Sequence, residues 1–324
     1  MAKPNKFCEH GGSMEFFDFA DMPVDTSWPT GMKKLFAEDE EELFPPERIR
    51  FAEDIDVQDV IYSHKPEAEL HMLIYSPKEK TKHHYPLVVC IPGSGWHKQT
   101  LTDNYRYAQH LVREGYIVVS VQYRHAAIAS MPAPIVDTKN AIRYLVLNAA
   151  KYSIDTQRIA VMGDSSGGHT ALMVGLTPCK LFTDDEYKGV YFSIKCVIDF
   201  FGPTNFSTMR NAPYLAEDHA AADGSIGEVL GGRDVDECPE ECALYSPVNY
   251  VKEGIALPDV MILHGNRDGV IPFSQSVEMF EKLRDCGHFV EFLCFEKAAH
   301  WSGGFRSWTM LKAVRDFLRN NMKE

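Results

Sequence analysis

One serine lies in a glycine-rich segment whose spacing suits nucleophilic catalysis. Residues 163–167 read GDSSG and fit the pattern G-x-S-x-G, in which Ser165 is the central serine. The segment directly follows the apolar run 158–163 and precedes a stretch with helical periodicity. At a sharp turn between a strand and a helix, glycine neighbours let the chain close tightly and leave the serine hydroxyl exposed. A glycine-serine turn that only caps a helix has the same letters, so the partners available to Ser165 decide between the two interpretations.

A serine hydroxyl becomes a good nucleophile only when a base removes its proton and an acid orients that base. In proteins with this motif the chain order is serine, acid, histidine. Asp268 lies in the turn after the apolar run 258–265, and His300 lies in the turn after the apolar run 289–296. Both turns follow the carboxyl ends of predicted strands, where open parallel sheets bind their ligands. Ser165, Asp268 and His300 are therefore the predicted catalytic triad.

Other acids and bases fit this arrangement less well. His264 ends a predicted strand before the acid, and His169 lies within the helix that follows the nucleophile. Asp199 and Asp259 lie inside or before a predicted strand rather than after it. None of these four residues stands where a triad member is expected.

Attack on an ester carbonyl creates an oxyanion that backbone N–H groups can stabilise. One donor is expected from Ser166, directly after the nucleophile. The other is expected from the loop 92–96, which reads PGSGW and whose small residues let the backbone approach a ligand. Ser94 and Gly95 are the candidate donors there. A plain Pro-Gly turn is the alternative interpretation of this loop.

Two tryptophans flank these loops. Trp96 ends the loop after the first apolar run, and Trp301 follows the proposed base. Flat aromatic rings at these places could stack on a sugar, and we predict both as substrate contacts. Ordinary packing of a large apolar side chain would account for them equally well.

Apolar runs alternate with helical stretches along most of the chain. Apolar and polar residues alternate in two segments, 51–63 and 69–77, which predicts a pair of antiparallel strands at the start of a sheet. Continuously apolar strands separated by helices indicate a mostly parallel sheet that helices cover on both faces. We predict an α/β protein with an eight-stranded sheet whose remaining six strands are 87–92, 116–124, 158–163, 195–202, 258–265 and 289–296.

The spacing of these elements favours one large domain. Residues 51–324 form the predicted catalytic domain, and residues 1–50 read as an irregular N-terminal extension. The connection 203–257 is longer than compact domains usually contain and predicts a lid-like insertion that shapes the substrate site.

The composition restricts the partners. The formal net charge is -13, which argues against nucleic acid or an anionic membrane because binding phosphates requires clustered Lys and Arg. No segment has the apolar length of a membrane span or a secretory signal, so we expect a cytoplasmic protein. Cys238 and Cys242 have no second pair of ligands for zinc, and no metal or cofactor is predicted. The sequence indicates no oligomeric state.

With these segments, the sequence resembles the α/β-hydrolase superfamily over roughly residues 55–320. It is most similar to the acetyl-esterase and hormone-sensitive-lipase-like branch, which includes microbial xylan acetyl and feruloyl esterases. That branch usually has His-Gly-Gly-x-Trp at the oxyanion loop, whereas Pro92 and Ser94 here replace the His and the second Gly. The motifs that carry the resemblance are PGSGW (92–96), QYR (122–124), GDSSGGH (163–169), SPVNYV (246–251), HGNRDGVIP (264–272) and AAHWSGG (298–304).

The resemblance implies a serine hydrolase that removes short acyl groups, such as acetyl, from a sugar or a small-molecule alcohol. The substrate would be a small-molecule or oligosaccharide ester, and no cofactor would be needed. The same triad also serves short-peptide hydrolases and amidases such as formamidases, because the fold and the nucleophile do not set the leaving group. A non-catalytic hydrolase-like binding protein would have lost the nucleophile or the base, and both are present.

Overall fold

The computed structural model describes residues 23–35, 52–211 and 217–323. These residues contain nine strands and eight α-helices. The strands are β1 Lys33–Leu35, β2 Ile55–His64, β3 Glu69–Pro77, β4 Tyr85–Ile91, β5 Ile117–Val121, β6 Ile154–Asp164, β7 Cys196–Phe200, β8 Asp259–Gly265 and β9 Val290–Phe295. The helices are α1 Tyr105–Arg113, α2 Ala133–Leu147, α3 Ala149–Tyr152, α4 Ser166–Leu176, α5 Ser225–Val229, α6 Pro239–Leu244, α7 Phe273–Asp285 and α8 Trp308–Asn321.

All nine strands belong to one sheet in the order β1-β9-β8-β7-β6-β4-β5-β3-β2. β3 is antiparallel to both β2 and β5, and every other neighbouring pair is parallel. The sheet is thus mostly parallel, as the alternation of apolar runs and helices predicts. Because β4, β6, β8 and β9 run parallel to one another in this sheet, their carboxyl ends lie at the same edge.

The predicted number of eight strands is wrong by one, because β1 joins the sheet outside β9. Its register places Lys33 opposite Leu293 and Leu35 opposite Phe295. A three-residue segment reading KKL has neither an apolar run nor an alternating pattern, so only its pairing with β9 makes it a strand. β1 lies within the predicted N-terminal extension, whose residues 1–22 and 36–50 lie outside the described part. The division of the chain at residue 50 stays a prediction.

Each face of the sheet carries its own apolar core, and β4 shows why its sequence is continuously apolar. Leu87, Val89 and Ile91 pack into one core, beneath α2, α4 and α7. Val88 and Cys90 point to the opposite face and pack beneath α1 and α8. Since successive side chains of a strand alternate between faces, a strand covered on both sides has to be apolar at every position. Burying each such aliphatic side chain contributes about 1.5–3 kcal/mol.

The predicted insertion 203–257 forms short helices in its described residues, with no strand. Besides α5 and α6 it contains three 3₁₀ turns, Phe206–Asn211, Val235–Glu237 and Pro247–Tyr250. The hydroxyl of Ser246 joins the two ends of this segment, since it accepts the N–H of Phe206 and donates to the carbonyl of Cys242. The segment begins at the carboxyl end of β7, the sheet edge that carries the predicted triad, and ends before β8.

Candidate active site

Ser165 occupies the turn between β6 and α4 in a backbone conformation that non-glycine residues rarely adopt. Its φ is 53° and its ψ is -124°, which is a strained combination for a side chain with a Cβ. Its N–H donates to the carbonyl of Phe200 on the neighbouring strand over 2.8 Å. A Cβ on Gly163 would lie 2.2 Å from the carbonyl oxygen of Gly167, and one on Gly167 would lie 2.0 Å from that of Ile91. The turn therefore requires both glycines of the motif.

Asp268 and His300 meet above the ends of β8 and β9. The Nδ1–H of His300 donates to Oδ2 of Asp268 over 2.7 Å. Oδ1 of the same carboxylate accepts the N–H groups of Val270 and Ile271, at 2.8 and 3.0 Å. Burial by itself would raise the pKa of Asp268, but the charge of His300 and the hydrogen bonds from His264 and His300 hold it well below its usual range. The acid is therefore ionised at neutral pH.

The end of β7 connects the nucleophile to the base. Phe200 holds the backbone of Ser165 through its carbonyl, and the ring of the next residue, Phe201, lies 4.4 Å from the imidazole of His300 between centroids. The charge of His300 also acts on Asp164, the residue before the nucleophile. These contacts bring the turns that carry Ser165 and His300 together at one site.

Asp164 ties three loops together. Its Oδ1 accepts the N–H of Gly93 over 3.1 Å, and its Oδ2 accepts the indole N–H of Trp301 over 3.0 Å. Burial raises the pKa of this carboxyl to about 6, although both hydrogen bonds and the charge of His300 act in the opposite direction. The sequence motif contains Asp164, but its letters alone do not indicate this linking role.

The loop after β4 presents its N–H groups to different partners. The N–H of Ser94 donates to Oγ of Ser166 over 3.0 Å, so in this structure it holds the nucleophile turn. The N–H of Gly95, where φ is 59°, meets no hydrogen-bond acceptor among the described residues. The N–H of Ser166 belongs to the first residue of α4, and such groups have no partner within their own helix. Of the three predicted donors, Gly95 and Ser166 are thus the ones left available.

The two predicted tryptophan contacts are both engaged by the protein. Trp96 is 1% exposed, and its ring packs edge-on against Phe206 and His169. A side chain buried to this extent cannot stack on a sugar, so the prediction for Trp96 is wrong for this structure. Trp301 is half-buried and stacks on Tyr107 and Phe200, so its ring supports the turn that carries the base.

His264 contacts the acid Asp268, although its position in the sequence does not suit a catalytic base and does not predict this contact. The Nε2 of His264 lies 3.1 Å from Oδ2 of Asp268, and its Nδ1 lies 2.7 Å from Oγ of Ser276. The available signal is the spacing H-x-x-x-D within HGNRD, which places both residues at the end of β8. Nothing in the sequence indicates Ser276, because it lies inside α7.

The insertion 203–257 contacts the oxyanion loop, and the sequence does not predict this contact. The Cβ of Ser225 lies 3.3 Å from the position that a Cβ on Gly95 would take. The Oγ of Ser225 lies 3.2 Å from Nδ1 of His219, and a carboxylate oxygen of Glu228 lies 3.4 Å from Nε2 of His97. Burial and the charge of His300 lower the pKa of His219. We call His97, His219, Ser225 and Glu228 the polar wall.

The rejected candidates have structural partners elsewhere. His169 is buried in α4 with Nε2 2.7 Å from the carbonyl oxygen of Tyr245, and burial lowers its pKa to about 4. Asp199 is buried at the end of β7, where it accepts the N–H of Gly202. The Sγ atoms of Cys238 and Cys242 lie 3.9 Å apart in the insertion core.

The described residues contain no group of His, Cys, Asp and Glu side chains that could hold a metal ion. Among their helices, none combines the length and the apolar character that crossing a membrane requires.

A protein-family model and several curated proteins match this chain. The model of a protein family described as BD-FAE matches residues 72–283, more than half of the chain. Esterase LipC of Mycobacterium tuberculosis is 30% identical over 205 residues, which are 61% of this chain and 48% of that protein. Esterase LipQ of the same organism is 27% identical over 246 residues, or 72% of this chain and 55% of that protein. The chain therefore spans about half the length of these curated relatives.

Solved structures confirm the predicted α/β-hydrolase fold. A truncated form of a carbohydrate esterase from gut microbiota has a TM-score of 0.72 and 30% identity, over 84% of this chain and 99% of that chain. An esterase of Thermogutta terrifontis, Est2, solved with propionate, has a TM-score of 0.67 over 82% of this chain and 94% of that chain. Its identity is 23%, so this second likeness concerns the fold alone.

Proposed function

The chain belongs to the BD-FAE family of α/β hydrolases, and from this we propose that it is a serine carboxylic-ester hydrolase. Ser165 is the nucleophile, His300 the base and Asp268 the acid of its triad. The observation that carries the proposal is the strained turn at Ser165, together with a histidine whose Nδ1 faces a buried, ionised carboxylate over 2.7 Å. Strained backbone of this kind costs free energy and is concentrated at functional sites, and strongly shifted pKa values also cluster at such sites.

In the first step, His300 accepts the proton of the Ser165 hydroxyl as the serine oxygen attacks the ester carbonyl. Because Nδ1–H donates to Asp268, the neutral ring has its free lone pair on Nε2, where the serine proton goes. The N–H groups of Gly95 and Ser166 stabilise the oxyanion, while Ser94 fixes the loop through Ser166. Removing one such donor typically lowers the rate by about 10²–10³-fold.

In the second step, the protonated His300 gives its proton to the departing alcohol, which leaves Ser165 acylated. Water then attacks the acyl-enzyme while His300 removes the proton from that water molecule. His300 passes this proton to the oxygen of Ser165 as the ester bond breaks, and the carboxylic acid product is released. No metal or cofactor enters this sequence of steps.

We further propose a short acyl group, such as acetyl, on a hydroxylated alcohol such as a sugar. The polar wall supports this assignment, because it places Ser225 and the imidazole of His97 against Gly95, with His219 beside Ser225 and Glu228 beside His97. Such groups bind hydroxyls and would be costly to bury against a long apolar chain. The name of the structural relative from gut microbiota, a carbohydrate esterase, agrees with this substrate class.

The test compares the purified wild type with Ser165→Ala on p-nitrophenyl acetate. We expect the variant to lose at least about 10⁴-fold in kcat, and Ser207→Ala, a control at an exposed serine, to keep its activity. A Ser165→Ala variant as active as the wild type would refute the nucleophile. Acetylated xylo-oligosaccharides, aminoacyl-anilides and N-formylkynurenine then separate a carbohydrate esterase from a peptidase or a formamidase. Faster turnover of either amide class would refute the ester assignment.

A further inference from the structure

Two imidazoles share one oxygen of the catalytic acid. The Oδ2 atom of Asp268 lies 2.7 Å from Nδ1 of His300 and 3.1 Å from Nε2 of His264. Its other oxygen accepts the two backbone N–H groups of Val270 and Ile271. The carboxylate thus has four hydrogen-bond partners, of which only His300 belongs to the triad.

The contacts of His264 determine where its hydrogen lies. Its Nε2 faces two oxygens that can only accept, Oδ2 of Asp268 and the carbonyl oxygen of Ile271, the latter at 3.2 Å. Nε2 therefore carries a hydrogen in both the neutral and the charged ring. Nδ1 faces Oγ of Ser276 at 2.7 Å, a hydroxyl that can either donate or accept. Ser276 thus permits the one neutral tautomer that donates to the acid.

The surroundings make this arrangement rigid. The side chains of His264 and Asp268 are completely buried, and Ser276 is as well. The ring of Phe273 lies 5.5 Å from the imidazole of His264, edge-on, and the ring of Phe201 lies 6.1 Å away on centroid distance. Phe201 also contacts His300, so a single phenyl ring touches both histidines. At such a buried site a hydrogen bond is stronger than in water.

We propose that His264 is a positioning residue, which acts on the base through Asp268. Its Nε2–H fixes the plane of the carboxylate, so that Oδ2 stays aimed at His300. It also takes up part of the negative charge on Oδ2, which limits how strongly Asp268 stabilises the charged form of His300. This role depends on the proposed function, because it concerns the base of that reaction.

Two other titratable groups interact with the base, and a substitution of His264 leaves both of their side chains unchanged. Asp164 interacts electrostatically with His300 from the nucleophile turn, and His219 does so from the insertion. Asp268 is the group that couples to both His264 and His300. A shift in the acid limb of the pH profile after substitution of His264 therefore reports on the carboxylate between them.

The experiment uses three variants of the full chain, His264→Leu, His264→Gln and Ser276→Ala, with His83→Leu as the matched control. His83 is exposed before β4, at the end of that strand opposite the oxyanion loop. The measurements are kcat and KM on p-nitrophenyl acetate and the pH dependence of kcat/KM. Each variant is first compared with the wild type by its thermal unfolding curve.

We expect His264→Leu to lower kcat by about 10–100-fold with little change in KM, because it misplaces the base without touching the substrate. Its acid limb should move to higher pH by about half a unit, since a less compensated carboxylate favours the imidazolium form of His300. His264→Gln keeps an N–H donor and should recover most of both losses. Ser276→Ala should move the acid limb in the same direction by a smaller amount.

A His264→Leu variant with wild-type kcat and an unchanged acid limb would overturn the proposal. If His264→Leu does not fold, His264→Gln and Ser276→Ala provide the test. A Ser276→Ala variant whose pH dependence of kcat/KM is identical to that of the wild type would then overturn the proposal. A wild type without esterase activity and without labelling by a fluorophosphonate probe would instead refute the proposed function. The two failures are therefore distinguishable.

Discussion

Oδ2 of Asp164 accepts the indole N–H of Trp301 over 3.0 Å, so the residue before the nucleophile holds the residue after the base. The other oxygen of Asp164 holds Gly93 at the start of the oxyanion loop. A single buried carboxylate thereby sets the relative position of the nucleophile turn, the base turn and the oxyanion loop. These three parts come from distant places in the chain, and their alignment determines how well the site can react.

Replacement of Trp301 by phenylalanine removes the indole N–H and retains an aromatic ring for Tyr107 and Phe200. We expect kcat on p-nitrophenyl acetate to fall by about tenfold through misalignment of the base, and the free energy of unfolding to fall by about 1 kcal/mol. Trp308→Phe, at an exposed position, is the control. If Trp301→Phe retains wild-type kcat, the link to Asp164 has no role in catalysis.

Asp164 should make the protein less stable as the pH rises from about 4 to about 6. Its pKa is about 6 in the folded protein and about 4 in an unfolded chain, so the folded state binds more protons in this window. In Asp164→Asn this dependence is absent. Urea unfolding of both proteins at several pH values measures the difference, and the wild type should lose stability relative to the variant with rising pH. A constant difference would contradict the raised pKa.

Asp268 should have the opposite effect on stability. Its pKa is lowered in the folded state, so its contribution is present above about pH 4 and is lost as the pH falls further. Asp268→Asn should therefore be less stable than the wild type at neutral pH, with a smaller difference in acid. Its kcat should fall by about 10⁴-fold, because an amide permits the wrong tautomer of His300. Full activity of Asp268→Asn would remove this residue from the triad.

Gly95→Ala should impair catalysis more than folding. The new Cβ would lie 3.3 Å from Cβ of Ser225, at a φ of 59°, and would displace an N–H proposed to bind the oxyanion. We expect kcat to fall by about 10²-fold. Gly189→Ala is the matched control, since Gly189 also has a positive φ and nothing lies within 4 Å of its added Cβ. Equal effects of the two substitutions on kcat would argue against Gly95 as a donor.

His219→Phe should separate sugar esters from simple esters. If the polar wall binds hydroxyls, KM for acetylated xylo-oligosaccharides should rise by about tenfold, as expected for loss of one hydrogen bond of about 1.4 kcal/mol. The kinetics on p-nitrophenyl acetate, whose alcohol has no further hydroxyl, should change little. His83→Phe is the control. A parallel loss on both substrates would indicate a role in folding or in the chemical step.

The sheet is readable from the sequence because buried parallel strands are continuously apolar, as in β4, and the triad is readable because its members follow such strands. Contacts between distant segments are not readable in this way. Trp96 is buried because Phe206 and His169 from distant segments pack against its ring, and Ser276 meets His264 only when α7 packs beside the end of β8. The approach of Ser225 to Gly95 depends on the path of the insertion, which has no periodic pattern to predict it.

The strand β1 has a consequence for how the protein behaves at high concentration. Without it, β9 would be the last strand of the sheet and would present a row of unpaired backbone groups to other molecules. Long open strands of this kind are templates for aggregation, and proteins commonly blunt them with short, lysine-bearing segments. Lys33–Leu35 is three residues long and carries two exposed lysines. Pairing with this short, charged strand covers the edge of β9 and should disfavour strand pairing between copies of this chain.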